Sequence, residues 1–204
     1  MAPISPIMNI MIRAGECAAR SLVRDFGEVE QLQVSRKGPA NFVTAADKRA
    51  EEILYDELKK ARPSYSFIME ESGKKDGDDA DHLWIIDPLD GTHNFMHGIP
   101  HWAISIALEV KGRMEAALIL DPVKNEVFRA ERGMGAFMNN KRLRVSGRTD
   151  LENAIIAFGS TMDNENYEYY AKEINAINNI APMLRRFGSA ALDLSLIHIS
   201  EPTR

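Results

Sequence analysis

The sequence predicts an α+β chain that passes from two helices into a mainly antiparallel sheet and then into the start of an alternating α/β region. Three observations predict it. From residue 4 to about 62 the apolar residues recur at intervals of three and four. After Pro63 the pattern changes to short apolar runs separated by turn residues. From residue 152 onward a strand, a helix and a further strand follow one another.

The first helix is read over residues 4 to 26, where Ile4, Ile7, Met8, Met11, Ile12, Ala18, Ala19, Leu22 and Val23 share one face and Gly27 ends it. Gly38-Pro39 breaks the chain. A second helix is expected from Thr44, with Thr44 and Asp47 as a near-capping box and Ile53, Leu54 and Leu58 on its apolar face, running to Pro63. Ser66–Met69 and His82–Ile86 read as strands around a polar loop, Gly73–Asp81. Residues 102–110 and 114–120 flank Lys111-Gly112-Arg113, a hairpin signal. Strands near 125–130 and 141–145 extend the sheet, joined by the RGMGAF segment. Residues 152–158 give a strand, 164–179 a helix, 183–186 a strand, and GSAALDL opens a last helix. The organisation expected is an N-terminal α+β lobe over 1–150, the start of a C-terminal α/β lobe over 151–194, and a tail over 195–204. The linker candidate is 146–152, and there is no internal repeat or low-complexity segment.

Composition narrows the function. The chain has 204 residues, 45% hydrophobic and 27% charged, ordinary values for a globular protein. A net charge of −5 argues against non-specific nucleic-acid binding, which needs excess cations to displace counterions from phosphates. The single cysteine, Cys17, excludes an intramolecular disulfide framework and a multi-cysteine zinc site, and reads as a small core residue. No apolar stretch approaches a membrane span and no basic, signal-like N-terminus is present, so a cytoplasmic protein is expected.

The densest chemical signal is WIIDPLDGTHNF, residues 84–95. An apolar strand delivers Asp87 at its end, and Pro88, lacking an N–H, stops the ladder. Asp90 follows in a turn that Gly91 permits. Two carboxylates with the Leu89 carbonyl between them form a hard-oxygen site suited to Mg²⁺. Thr92 adds a hydroxyl, and a short helix starting there would direct N–H groups at a phosphate. Metal carboxylates beside a phosphate cradle are what metal-assisted phosphoester hydrolysis needs. Glu70-Glu71 ends the preceding strand, and strands leaving the same sheet edge bring Glu70 beside Asp87 and Asp90. An Asp-Gly turn after a strand is in most chains only a turn; the upstream acidic pair turns this one into a candidate site. Asp47, in the expected first turn of the second helix, has a structural reason of its own there, since an acid favours a helix N-terminus. His93, His97 and His101 are bystanders on this reading, because Gly98 and Pro100 interrupt any common helix face and imidazole suits Zn²⁺ better than Mg²⁺. The DGDDAD run, 76–81, is read as a solvated loop, and Lys141, Arg142, Arg144 and Arg148 as a solvated basic cluster.

GPANFVTAADKRAEE, SFIMEESG, WIIDPLDGTHNF and RRFGSAALDL together resemble the inositol monophosphatase family, in particular its bacterial, SuhB-type branch, across residues 5–194. The resemblance implies a layered αβαβα sandwich and an Mg²⁺-dependent, lithium-sensitive phosphomonoesterase that forms homodimers. By position, it makes Glu70, Asp87, Asp90 and the Leu89 carbonyl the metal ligands. It makes Thr92 and Asp47, with Glu70, the catalytic group that orients and deprotonates water. Leu89, Asp90, Gly91 and Thr92 are then expected to meet the substrate, the backbone around Gly91 and Thr92 holding its phosphate. Gly188, Ser189 and Ala190 fall where the family contacts the sugar, and Arg186 matches a substrate-contacting arginine. His93 replaces the family's second threonine.

The family-like sequence stops at Leu194, before the family's Trp-Asp motif, so SLIHISEPTR is expected to be foreign or frameshifted and the chain to lack one metal ligand and some core cover. The function expected is hydrolysis of inositol-1-phosphate or a similar small polyol phosphate. The alternatives are an accessory factor contacting the transcription machinery, for which Lys141–Arg148 is a candidate surface, and a phosphatase for another substrate such as fructose-1,6-bisphosphate or histidinol phosphate.

Overall fold

The computed structural model describes residues 4–32, 39–147, 150–159, 167–181 and 183–196. Helix α1 spans Pro6–Leu32, and the Ser5 hydroxyl caps it by accepting from the Met8 N–H at 3.1 Å. Gly27 does not end it. A glycine inside a helix costs about 1 kcal/mol, and two residues further Val29 is fully buried, which offsets that cost. Helix α2 spans Pro39–Ala61, starting earlier than expected because proline needs no N–H in a first turn. Thr44 and Asp47 therefore lie inside the helix, and the predicted capping box does not form.

The sheet has eight strands: β1 Tyr65–Met69, β2 Gly73–Lys75, β3 Asp79–Asp90, β4 Ala103–Val110, β5 Arg113–Asp121, β6 Glu126–Glu131, β7 Gly135–Met138 and β8 Lys141–Arg142. Their order is β2-β1-β3-β4-β5-β6-β7-β8. Every pair is antiparallel except β1 with β3, which run parallel. The β4–β5 hairpin closes through Lys111 and Gly112 with φ of 51° and 73°, the double left-handed turn that suits strand twist. Helix α3, Thr92–Met96, lies between β3 and β4. After a 3₁₀ turn at Leu151–Asn153 come β9 Ile155–Ala157, α4 Tyr167–Asn178, β10 Met183–Arg185 and α5 Ala190–Ser195, with β9 and β10 paired in parallel.

Several local expectations change. Part of the predicted 73–81 loop is strand, because β2 pairs back on β1 and β3 already begins at Asp79 within the DGDDAD run. RGMGAF is not a connection: its second half is β7, paired with β6, while the strand expected over 141–145 shrinks to β8. The strand expected over 152–158 is three residues, β9. Cys17 is half-buried rather than core, with the Arg20 guanidinium donating to its Sγ at 3.1 Å. At the boundary expected between 150 and 151, Asp150 caps the 3₁₀ turn Leu151–Asn153, while the first turn of the helix expected at 164 lies outside the described residues.

Alternation along the strands builds a layered molecule. Phe67, Met69, Trp84, Ile86, Ile104, Ile106, Leu118 and Leu120 form one buried cluster with the apolar seams of α1 and α2. Ala103 and Phe128 form a second with Leu192 of α5, and Ile119 and Leu196 pack beside it. Helices thus cover both faces of the sheet. Of the tail expected to be foreign, Ser195 completes α5, its hydroxyl donating to the Ala191 carbonyl at 2.8 Å, and the Leu196 N–H donates to the Leu192 carbonyl at 3.0 Å.

Candidate active site

The parallel register of β1 and β3 creates the site. Met69 sits opposite Ile86, so the next residues, Glu70 and Asp87, leave the same sheet edge side by side. Pro88 does not stop the ladder as expected. Lacking an N–H, it forces a bulge, and the pairing with β4 jumps from Asp87–Ser105 to Asp90–Ala103. Asp90 is therefore the last residue of β3 rather than a turn residue. The Leu89 N–H donates to Asp87 Oδ1 at 3.0 Å, and the Thr92 hydroxyl donates to the Leu89 carbonyl at 3.0 Å. Leu89 buries its side chain completely, which pins the loop from below. Gly91 has φ 95°, and a Cβ there would lie 3.0 Å from the His101 carbonyl, so only glycine fits. Helix α3 then starts at Thr92, as expected, with its first N–H groups lacking acceptors within the helix.

The helix layer adds acids to this edge. Asp47 is buried on α2, and its Oδ1 accepts no hydrogen bond from any described residue. Its reading as a helix-terminus residue fails, since it lies two turns inside α2. Glu51, one turn further, accepts from the Glu71 N–H at 2.8 Å and so holds the Glu70-Glu71 step in place. Sequence reasoning passed over Glu51, although its spacing of four from Asp47 on one helix was the signal available.

These groups raise one another's proton affinity. Burial, then the charges of Glu71, Glu70 and Glu51, push the Asp47 carboxyl from an ordinary 3.8 up to about 7. Burial, then hydrogen bonding and repulsion from Glu70, with Asp90 adding more, push Asp87 up to about 8. Such a cluster of hard oxygens is short of positive charge, and a divalent cation fits its donor chemistry. Among the described residues no three acidic, histidine or cysteine side chains already converge as a finished cage. The Asp90 carboxylate accepts from the Ser189 hydroxyl, from the Ala191 N–H at 2.9 Å and from the Ala190 N–H at 3.3 Å.

The structure thus brings Ser189 and Ala190 onto Asp90, a distance of about a hundred residues in sequence. Gly188, with φ 86°, packs against the Asn94 side chain. Arg186 stands exposed just past β10. Asn94 is a second residue that sequence reasoning missed; it donates to the carbonyls of His101 and Phe187 at 2.8 and 2.7 Å. His93 and His97 are exposed. His101 faces Asp193 of α5 across 3.9 Å, too long for a hydrogen bond. Burial and then Lys124 lower the proton affinity of His101, while burial raises that of Asp193.

Residues 4–200 match the inositol monophosphatase family. The chain belongs to that family. Among its relatives, the inositol-1-monophosphatase of Mesorhizobium japonicum is 48% identical over 194 residues, covering 95% of this chain and 73% of the relative. The Nus factor SuhB of Escherichia coli is 42% identical over 193 residues, covering 94% of this chain and 72% of the relative. The crystal structure of extragenic suppressor protein suhB from Bartonella henselae superposes with a TM-score of 0.86 at 50% identity, covering 95% of this chain and 74% of that one. The mixed sheet layered between helices is the inositol monophosphatase fold, as the sequence resemblance implied. Inositol monophosphatases are metal-dependent, which agrees with the cation-deficient carboxylates at this edge. No described helix is long and apolar enough to cross a membrane.

Proposed function

We propose that this inositol monophosphatase family chain hydrolyses inositol-1-phosphate or a similar small polyol phosphate with the help of Mg²⁺. The observation that carries the proposal is the acidic edge of β1 and β3, where Asp87 is pushed up to about 8 by burial and by its neighbours. Glu70, Asp87, Asp90 and the Leu89 carbonyl would hold the ion. Bound there, Mg²⁺ supplies Lewis acidity and neutralises charge on the phosphoester. Asp47, which burial and its acidic neighbours push up to about 7 in the metal-free protein, would take the proton of the attacking water. Thr92, whose hydroxyl is directed by the Leu89 carbonyl, would orient the attacking water with it. The backbone of Gly91 and Thr92 would receive the phosphate at the start of α3, and Arg186, Gly188, Ser189 and Ala190 would meet the polyol. Homodimerisation and a cytoplasmic location come with the family resemblance as parts of this proposal.

Phosphate release from inositol-1-phosphate, assayed with and without Mg²⁺, tests it; fructose-1,6-bisphosphate and histidinol phosphate complete the panel. Release that depends on Mg²⁺ and disappears in Asp90→Asn is expected. Undiminished release in that variant would sink the ligand assignment.

The name Nus factor carried by several relatives favours a second reading, contact with the transcription machinery. Lys141, Arg142 and Arg144 form an exposed basic surface on and beside β8, and Arg148 lies outside the described residues. Co-purification of transcription proteins that persists in Asp90→Asn but is lost when the three basic residues become alanine would support it. Recovery of none would count against it.

A further inference from the structure

The Asn94 side chain is in neither the metal set nor the set expected to touch substrate, yet it occupies the junction between them. Its Nδ2 lies 2.8 Å from the His101 carbonyl, before β4, and 2.7 Å from the Phe187 carbonyl, before α5. Both neighbours are pure acceptors, so the amide NH₂ must face them, one hydrogen for each. The Phe187 contact joins positions 93 residues apart in sequence. Gly188 confirms how close the approach is: at φ 86°, its Cβ would fall 3.0 Å from Asn94 Nδ2. Immediately beyond, Ser189, Ala190 and Ala191 all donate to Asp90.

We propose that Asn94 is a positioning residue that clamps the Phe187–Ala190 segment over Asp90, setting where the polyol part of the substrate meets the loop that holds the phosphate. The proposal rests on the phosphatase reading for its kinetic consequence only. The physical argument is one of placement. The backbone of Phe187–Ala190 has few anchors, because β10 ends at Arg185 and α5 starts at Ala190. Asp90 fixes the far end of this connection, and Asn94 fixes the near end. Without Asn94 the near end of the segment keeps only side-chain contacts such as that of the Phe187 ring with His101, and the groups expected to face the polyol lose their register with the phosphate loop. Glu70, Asp87 and the Leu89 carbonyl stand on β1 and β3 and do not depend on the clamp.

The test compares Asn94→Asp, nearly identical in shape but turning a carboxylate oxygen toward two carbonyls, with Asn94→Ala, which removes both hydrogen bonds without adding charge. Three quantities are read in each: Mg²⁺ affinity by calorimetry, KM and kcat for inositol-1-phosphate, and hydrogen exchange of the 188–192 amides. Loss of two hydrogen bonds is expected to raise KM by roughly tenfold, with kcat and Mg²⁺ affinity changed by less than about threefold and with faster exchange at 188–192. Unchanged exchange at 188–192 in both variants overturns the clamp. So does a fall in kcat at constant KM. If the unmodified chain releases no phosphate, the phosphatase reading fails, and the exchange comparison still decides the clamp. If Asn94→Asp does not fold, Asn94→Ala carries the decision alone.

Discussion

Asp25 and Asp47 are buried to the same degree, each 3% exposed, in the same helical layer, and they are treated in opposite ways. Asp25 on α1 meets the Arg49 guanidinium of α2 at 2.7 Å and that of Arg24 at 3.3 Å. Asp47, two residues before Arg49, meets no cation among the described residues and has Glu51, Glu70 and Glu71 around it. The first arrangement ties two helices together. The second holds repulsion that folding alone does not relieve, the condition that marks an acid as a candidate for binding chemistry. Burial is equal, so the partners account for the difference between the two aspartates.

The largest expected effect breaks the functional side of this contrast. Asp87→Asn should lower Mg²⁺-dependent phosphate release by more than about a hundredfold, beyond the ten- to hundredfold cost of losing a group that only orients a ligand. A steady-state assay at saturating Mg²⁺ checks it. On the structural side, Asp25→Ala should cost about 1–3 kcal/mol of stability by leaving Arg49 without its partner, read as a lower denaturation midpoint. Because Arg49 is partly exposed and can be rehydrated, the loss stays at the lower end of what a buried pair would show.

A pH series sharpens the comparison. Asp47 and Asp87 have folded values of about 7 and about 8 against an ordinary 3.8. Between these limits the folded state binds protons that the unfolded state has released. The metal-free protein therefore loses stability as pH rises from about 4 through 8. Its melting temperature should fall over that range, added Mg²⁺ should flatten the slope, and Asp47→Asn should remove part of it. A metal-free melting temperature that rises over the same range would contradict the electrostatic account. The smallest effect belongs to Ser189, which caps α5 and donates to Asp90: Ser189→Ala should cost about 1 kcal/mol. Faster hydrogen exchange confined to α5 would show it.

Much of this was legible in the chain. Helices, hairpins and the acidic strand end follow from patterns that act over a few residues: the 3.6 and 2.0 periods, the Lys111-Gly112 turn, and the run from Trp84 to Gly91. Where the local reading failed, a distant contact outweighed a local preference. Gly27 should end a helix, but buried Val29 carries α1 onward. Thr44 and Asp47 resemble a cap, but α2 already begins at Pro39. Pro88 should end a strand, but β4 continues alongside and absorbs it as a bulge. Glu51 and Asn94 left almost no local trace, because their roles depend on the Glu71 N–H and the Phe187 carbonyl, 20 and 93 residues away.

The sequence by itself determined the element types, the hard-oxygen chemistry and the family, since residue type and short spacing carry all three. Only the tertiary structure decided that β1 and β3 run parallel, that Asp47 is buried among acids rather than capping a helix, and that α5 closes on Asp90. Those facts depend on which surfaces meet, and on the low dielectric in which buried charges act on one another, neither of which is a property of any short stretch of chain.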